Sequence, residues 1–539
     1  MNSLVLLVVG AILFLLAYAS YGAYLAKKWG IDPSRKTPAH EMYDGVDYVP
    51  TNRYVLLGHH FASIAGAGPI AGPIQAAIFG WLPVYLWIVL GTIFVGGVHD
   101  FGSLLASIRH RGKSIGEIIE ANIGTSGKKL FNIFAWLTLV LVVAAFTSIT
   151  AEAFAATPAA GTASVLFIFI AILFGEFVYR RNASLAVSTV VGVALIFLSV
   201  WLGYKYPFMK FDKTTWQYIL LVYIFFASVL PVWLLLQPRD YLNSFLLYAM
   251  LIGGTLGIIL MHPVLQLEAY KGFSLTTGSG VQYLFPMVFV TVACGACSGF
   301  HSLVGSGTTA KQLSSESDAR FVGYGAMLIE GFLAIVALIS VAYVTKAEGS
   351  PAEIFAKGIA KFMTSFGIPE DFGKVFVTLA FTAFALTSLD TATRLGRYIF
   401  QEYFETKGTE KNPLSDKYVA TLITIFGAYI LLAYGYQKIW PIFGSANQLL
   451  SALALLALTA WFVRTGKNPL MTFLPMLWMF AVTLSATLLL MKNFYRAGNY
   501  ILVLLSIALF VLAIILMLVT YNTLKAAGKT EKTTSAKMD

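Results

Sequence analysis

The chain has 539 residues, 58% of them hydrophobic and 12% charged, with mean hydropathy +0.76. Soluble proteins carry about 25% charged residues, so this composition excludes a soluble enzyme and reads as an all-α polytopic membrane protein. The net charge of +11 lies in loops between apolar runs, where it orients membrane spans and leaves no reason to invoke nucleic acid.

A spanning helix needs about 20 apolar residues. That rule gives about 15 transmembrane spans, near residues 2–26, 58–80, 82–108, 130–150, 162–179, 184–204, 216–237, 242–261, 283–304, 322–345, 373–393, 418–434, 439–462, 470–491 and 499–521. The first run lacks a basic leader and a small-residue cleavage site, so it reads as a retained helix. With the N-terminus outside and the C-terminus cytoplasmic, most of the 37 Lys and Arg fall on the inner side, as the positive-inside rule requires. Trp81, Tyr85, Trp201, Trp216 and Tyr218 then form an outer aromatic belt. Between residues 346 and 374, Ile354, Ile359, Phe362 and Phe366 predict a short amphipathic helix. A polar tail follows Tyr521.

The span at 58–80 is a poor uninterrupted helix. Gly66-Ala67-Gly68-Pro69-Ile70-Ala71-Gly72-Pro73 holds three Gly and two Pro. Pro removes a backbone donor and Gly loosens the backbone. Irregular backbone at membrane depth is tolerated only inside protein or along a wet cavity, so a break here offers backbone groups to a ligand, as in secondary transporters. The plainer alternative is a kinked packing helix. Five spans later, Pro231 and Pro238 predict a second break in 216–237, entered from the opposite side. That layout predicts an inverted repeat: residues 58–204 as one half and 216–393 as the other. Residues 1–57 precede it as an N-terminal helix and loop, and 394–539 follow as C-terminal helices and tail.

Four stretches are recognisable together: GHHFASIAGAGPIAGPI from Gly58, SGFHSLVGSGTTAKQL from Ser298, SLDTATRLGR from Ser388 and WPIFGSANQLLSALAL from Trp440. Across essentially its whole length the chain resembles the carbon starvation protein A (CstA) family. The resemblance implies an amino acid/polyamine/organocation-type secondary transporter with a LeuT-like 5+5 core and extra helices. It also implies a bacterial inner-membrane location and uptake of peptide or pyruvate during nutrient scavenging.

Ionisable groups at membrane depth are default site residues. Here they are His59, His60, His99, Asp100, His301, Glu330 and Asp390. The plainer reading of each is a buried hydrogen-bonding partner or an inner-gate salt bridge. Asp390 has a neutraliser in Arg394 at i+4. Cys294, Ser298, His301, Gly305, Thr308 and Gln312 recur at helical spacing and predict one small, polar stripe. His301 on that stripe is the first choice for proton coupling, because an unperturbed imidazole titrates near 6.5. Asp390 and Asp100 come second, with His99 and Glu330 as further gating or coupling groups. Ser298, Thr308 and Thr309 could instead supply oxygens to sodium.

A carboxylate substrate is expected at the half-helix N-terminus formed by Gly66, Ala67 and Gly68, with Ser63, Ser228, Trp233 and Gln237 as wall groups. Gly444-Ser445-Ala446-Asn447-Gln448 is expected to break a later span. The two Cys lie alone in an apolar run and read as packing residues, with no metal site. The Gly-rich run lacks the Lys-Ser/Thr of a nucleotide loop. No cofactor and no catalytic residue is called for. The sequence reads as proton symport of a small carboxylate, with oligopeptide uptake as the alternative and a channel or sensor behind it.

Overall fold

The computed structural model describes residues 2–45, 48–231, 234–277, 280–344, 348–404 and 412–535. The chain begins with α1 (Ser3–Trp29), which ends on Gly30 at φ 71°, the left-handed close that glycine favours. Then come α2 (Arg53–Ile64) and α3 (Gly68–Ala76), bent by 45° across residues 65–67. Next are α4 (Trp81–Arg109), the short α5 (Ile115–Ile123), the 32-residue α6 (Thr125–Ala156), α7 (Pro158–Val178) and α8 (Leu185–Lys205). Residues Thr92–Gly96 form a π-helical turn inside α4.

Two helices, α9 (Lys213–Val229) and α10 (Leu236–Met261), lead to a hairpin of β1 (Ser274–Thr277) and β2 (Gly280–Tyr283). The hairpin was not foreseen. Three short helices follow: α11 (Leu284–Thr291), α12 (Ala293–Ala296) and α13 (Gly299–Gly307). The chain continues with α14 (Arg320–Ala342), which opens on a π-helical turn, α15 (Pro351–Met363) and the 35-residue α16 (Glu370–Phe404). It closes with α17 (Lys417–Leu432), α18 (Gln437–Arg464), α19 (Leu470–Arg496) and α20 (Tyr500–Lys525).

Eleven of these helices are long and apolar enough to cross a membrane, and the bent α2–α3 pair is a twelfth when counted as one span. The other three expected spans coincide with α9, α17 and the interrupted α11–α13, whose pieces are shorter.

Local chemistry sets several boundaries. Ser350 and Glu353 form a capping box, with Pro351 at the first turn of α15, where its missing N–H costs nothing. This is the expected amphipathic helix; Ile354, Ile359 and Phe362 are buried and Phe366 stays exposed. Asp416 caps α17 by accepting from the Tyr418 and Val419 amides. Gly80, at φ 98°, lets the chain turn against the Ala269 carbonyl, where a Cβ would lie 2.5 Å from oxygen.

Three expectations are corrected. The run 216–237 is not one broken span. Helix α9 ends at Val229 and a new 26-residue helix starts at Leu236, so the Pro-rich stretch joins two elements. The polar stripe is not one helix either, because the backbone leaves helical geometry at Val292 and is extended at Cys297 and Ser298. Helix α18 runs unbroken through Gly444 to Gln448; a lone Gly in a packed helix costs only about 1 kcal/mol, which tertiary contacts offset.

Candidate functional site

The first break is Ala65-Gly66-Ala67, and both alanines are fully buried. Facing it is the α11–α12–α13 break, not the stretch near Pro231. A Cβ on Gly68 would strike Cys294, and one on Gly72 would lie 2.6 Å from the Thr291 carbonyl. One on Gly295 would lie 3.4 Å from Pro69 Cα, and one on Gly66 would strike Ser388 Oγ. Glycine at 66, 68 and 72 is therefore a steric requirement. It lets two irregular segments approach at backbone distance.

Side chains from neighbouring helices hold these segments. Asn447 of α18 accepts from the Phe300 amide at 2.9 Å through Oδ1 and donates to Ser298 Oγ at 2.9 Å through Nδ2. It thereby caps α13 from outside. Ser388 Oγ of α16 donates to the Ser63 carbonyl at 3.4 Å.

A chain of four ionisable groups lies beside the breaks. His99 and Asp100 sit on α4 just after its π-helical turn, a device common at functional sites. His99 Nδ1 lies 2.7 Å from Asp100 Oδ1, and Asp100 Oδ2 lies 2.8 Å from His301 Nδ1 on α13. His301 Nε2 then lies 3.3 Å from Glu330 Oε2 on α14, in ion-pair range without hydrogen-bond alignment. All four are buried, and among the described residues no Lys or Arg ion-pairs with any of them. Imidazole gives and takes protons near neutral pH, and each carboxylate can hold the proton that its neighbour releases. Nearby, His60 Nδ1 meets Thr309 Oγ1 at 2.8 Å, while its Nε2 is buried without a partner.

A second buried cluster is built around a permanent cation. Arg239 of α10 ion-pairs with Asp390 of α16 and touches the Tyr223 hydroxyl. Tyr223 donates to Asp390 at 2.8 Å, and Arg239 Nη2 reaches Asp240 at 3.3 Å and Thr387 at 3.2 Å. Guanidinium does not deprotonate in proteins, so this cluster keeps a fixed positive charge.

Two cavities approach the broken helix from opposite ends. One, of about 420 Å³, is lined by Gly45, His59, Ser63, Asp240, Thr308 and Arg394, among others. The other, of about 670 Å³, is bordered by Gln75, Phe79, Gln282, Thr291 and Trp440, among others. The buried break separates them. The loop after α1 straps the first mouth: Thr51 N donates to the Gln312 carbonyl at 2.9 Å, and buried Glu316 takes Arg109 and the Asp32 amide. In the same region burial holds the Asp318 carboxyl above its ordinary range, with Arg53 opposing.

Comparison with known proteins places this architecture. A family profile described as Carbon starvation protein CstA matches residues 2–350 and 343–486. The chain is 32% identical to the pyruvate/proton symporter BtsT of Escherichia coli (strain K12), over 89% of this chain and 81% of that one. It is 32% identical to the peptide transporter CstA of the same strain, over 90% and 80%. The peptide transporter CstA of Campylobacter jejuni is 34% identical, over 86% and 77%.

The chain belongs to the CstA family.

Among solved structures, a manganese transporter of Eremococcus coleocola aligns with this CstA-family chain at TM-score 0.47 and 14% identity, covering 90% of this chain and 99% of that one.

Within this CstA-family chain the expected site residues divide. His99, Asp100, His301 and Glu330 come together. Ser63, Gly66, Ala67 and Gly68 form one continuous segment, with Ser63 on the first cavity. Gln237 also lines that cavity, but from the first turn of α10. Ser228 instead pairs with Thr421 of α17 at 3.2 Å, and Trp233 lies outside the described residues. Asp390 is paired by Arg239. Its expected partner Arg394 instead donates to the carbonyls of Ala227 and Leu230, closing the end of α9. Those exposed helix-end carbonyls attract the cation more directly than a carboxylate already held by another Arg.

The sodium oxygens do not converge. Ser298 and Thr308 flank the nine-residue α13, about 15 Å apart at helical rise, and Thr309 is taken by His60. Sequence reasoning missed Arg239 with Tyr223 and Asp240; the only signal was an Arg-Asp pair opening an apolar run.

Proposed function

We propose that this chain is a secondary active transporter that imports a small organic carboxylate, pyruvate or similar, by proton symport. The observation that carries the reading is the His99–Asp100–His301–Glu330 chain, buried beside a broken helix and, among the described residues, without an ion-paired Lys or Arg. A proton that neutralises this chain removes net charge from the membrane interior, which lowers the cost of moving between access states. The substrate carboxylate meets the first-turn amides of α3, around Ala67 and Gly68, where orphan N–H groups and the helix dipole favour an anion. The relatives' names support peptide uptake equally, so oligopeptide is the second substrate reading.

The finer fold reading also changes. Two series of elements run in the same order: a broken helix, a helix with a π-helical turn, a short amphipathic helix, a helix of more than 30 residues, then two more helices. They are α2–α8 and α11–α18. Helices α6 and α16 pack along each other, as equivalent members of a LeuT-like 5+5 inverted repeat would. We therefore assign the second half to residues 284–464 in place of 216–393, with α1, α9, α10, α19 and α20 as additions. Counting α11–α13 as one span, with α9 and α17, gives 15 spans. An outside N-terminus and a cytoplasmic C-terminus in a bacterial inner membrane complete the reading. The partners are the substrate, protons and lipid.

Uptake into proteoliposomes tests the function. Pyruvate or dialanine should accumulate above equilibrium when the medium is made acidic relative to the lumen. Equilibration alone would mark a channel or uniporter.

A further inference from the structure

The first cavity contains a pair of groups of which His59 belongs to neither buried cluster and Asp240 touches the Arg239 cluster through one oxygen only. His59, on α2, lies on its wall, and so does Asp240, on α10. His59 Nδ1 is 3.9 Å from Asp240 Oδ2. Both atoms are buried, and among the described residues neither has a hydrogen-bond partner. A buried carboxylate oxygen without a partner costs free energy, and here it lies in ion-pair range of an imidazole nitrogen, beyond direct hydrogen-bond distance.

The surroundings differ from those of Asp390. Asp390 is taken by Arg239 and Tyr223. Asp240 accepts from Arg239 through Oδ1, at 3.3 Å, and lines the cavity, while among the described residues its buried Oδ2 has no hydrogen-bond partner. The other charged or titratable groups around the pair come from every packed element. Arg394, Asp390 and Tyr398 project from α16, Tyr223 from α9 and Tyr248 from α10. Lys311 follows α13, and Arg180 closes the α7 end. Behind His59 stands His60, which interacts electrostatically with Asp100, His301 and His59. His60 is next to His59 on α2, which packs against α13, the helix of His301, and among the described residues its Nε2 has no partner.

We propose that His59 and Asp240 form a second proton station, through which protons carried by the His99–Asp100–His301–Glu330 chain leave toward the first cavity. The inference rests on the proton-symport reading. The release step breaks an N–H bond of the His59 imidazolium and makes an O–H bond on cavity water, with Asp240 stabilising the charged ring before release. Imidazole and carboxylate return to their starting states, and nothing is oxidised or reduced. His59 is therefore a proton-transfer residue, and Asp240 its positioning residue.

The test uses the full chain in proteoliposomes loaded with the pH-sensitive dye pyranine, and either pyruvate or dialanine as the transported probe. His59→Gln loses the titratable ring at a side chain that makes no hydrogen bond through Nδ1, so folding should be retained. We expect its net inward proton and substrate flux to fall on the order of tenfold or more, within reach of what a positioned acid–base group contributes. Its dependence on luminal pH should flatten. Substrate exchange at equal pH on both sides needs no net proton release and should persist. Asp240→Asn should give the same split, and Asp240→Glu should restore most of the flux, which a structural counter-ion for Arg239 would not require.

Wild-type net flux and luminal pH profile in both His59→Gln and Asp240→Asn would overturn the proposal, even if His301→Gln abolishes accumulation. A wild-type protein insensitive to the pH gradient would overturn the symport reading and this proposal with it.

Discussion

The two buried charge clusters use similar carboxylates for different ends. Around Asp390, a guanidinium that cannot deprotonate is in contact with the acid, and a tyrosine hydroxyl donates to the same oxygen. Around Asp100, both oxygens face imidazoles, and the second imidazole faces another acid. The first arrangement holds a permanent cation against its acids and ties α10 to α16. The second can gain or lose a proton without stranding a permanent charge, and it links α4, α13 and α14 beside the breaks. Burial alone does not distinguish the two clusters: Asp390 and Glu330 are both fully buried. What separates them is whether the partner can change its own charge.

The largest effect should come from breaking the fixed cluster. Arg239→Met strands two buried carboxylates, and removing one partner of a buried pair costs about 3–5 kcal/mol. Thermal unfolding in detergent should show a strongly lowered Tm. The double variant Arg239→Met/Asp390→Leu should recover part of it, because an apolar replacement of a buried pair is often neutral while Asp240 stays without its Arg partner. A single variant as stable as wild type would contradict the structural role given to this cluster.

The sequence revealed the first break, the ionisable residues that meet as His99, Asp100, His301 and Glu330, and the amphipathic α15, because each rests on local chemistry. Gly and Pro at 66–73 disturb a helix wherever it packs, and charged residues in apolar runs stand out individually. Pairing was not local. Arg394 at i+4 looked like the partner of Asp390, but Arg239, 151 positions away, takes that place. The second break was also misplaced. Pro231 marks a turn between helices, whereas residues 292–298 carry no Pro and break through small residues and an external cap from Asn447. Helical spacing alone made Cys294 to Gln312 look like one stripe. The fold interrupted it where Gly68 and Gly72 press against Cys294 and Thr291.

A smaller effect should follow in the titratable chain. Asp100→Asn replaces the ionisable acceptor of two imidazole contacts with an amide, at a cost of about 1.5–3 kcal/mol. The protein should remain folded but lose pH-driven accumulation, with stability and transport measured on the same preparation. Gly66→Ala should cost about 1–3 kcal/mol by overpacking against Ser388, and Gly66→Ala/Ser388→Gly should recover part of that stability. The smallest change in stability is expected for Glu330→Gln, within about 1 kcal/mol, since a neutral amide costs less to bury than a carboxylate. Its accumulation ratio should nevertheless fall. An unchanged ratio would end the chain at His301.

The most direct test is His301→Gln, which keeps hydrogen-bonding size but cannot titrate. Wild type and variant would be compared in proteoliposomes for exchange at equal pH and for accumulation driven by an inward proton gradient, with pyruvate and dialanine as probes. The account predicts that the variant exchanges substrate but equilibrates without concentrating it. A variant that still concentrates substrate under the proton gradient would contradict the account and make the His301 chain structural.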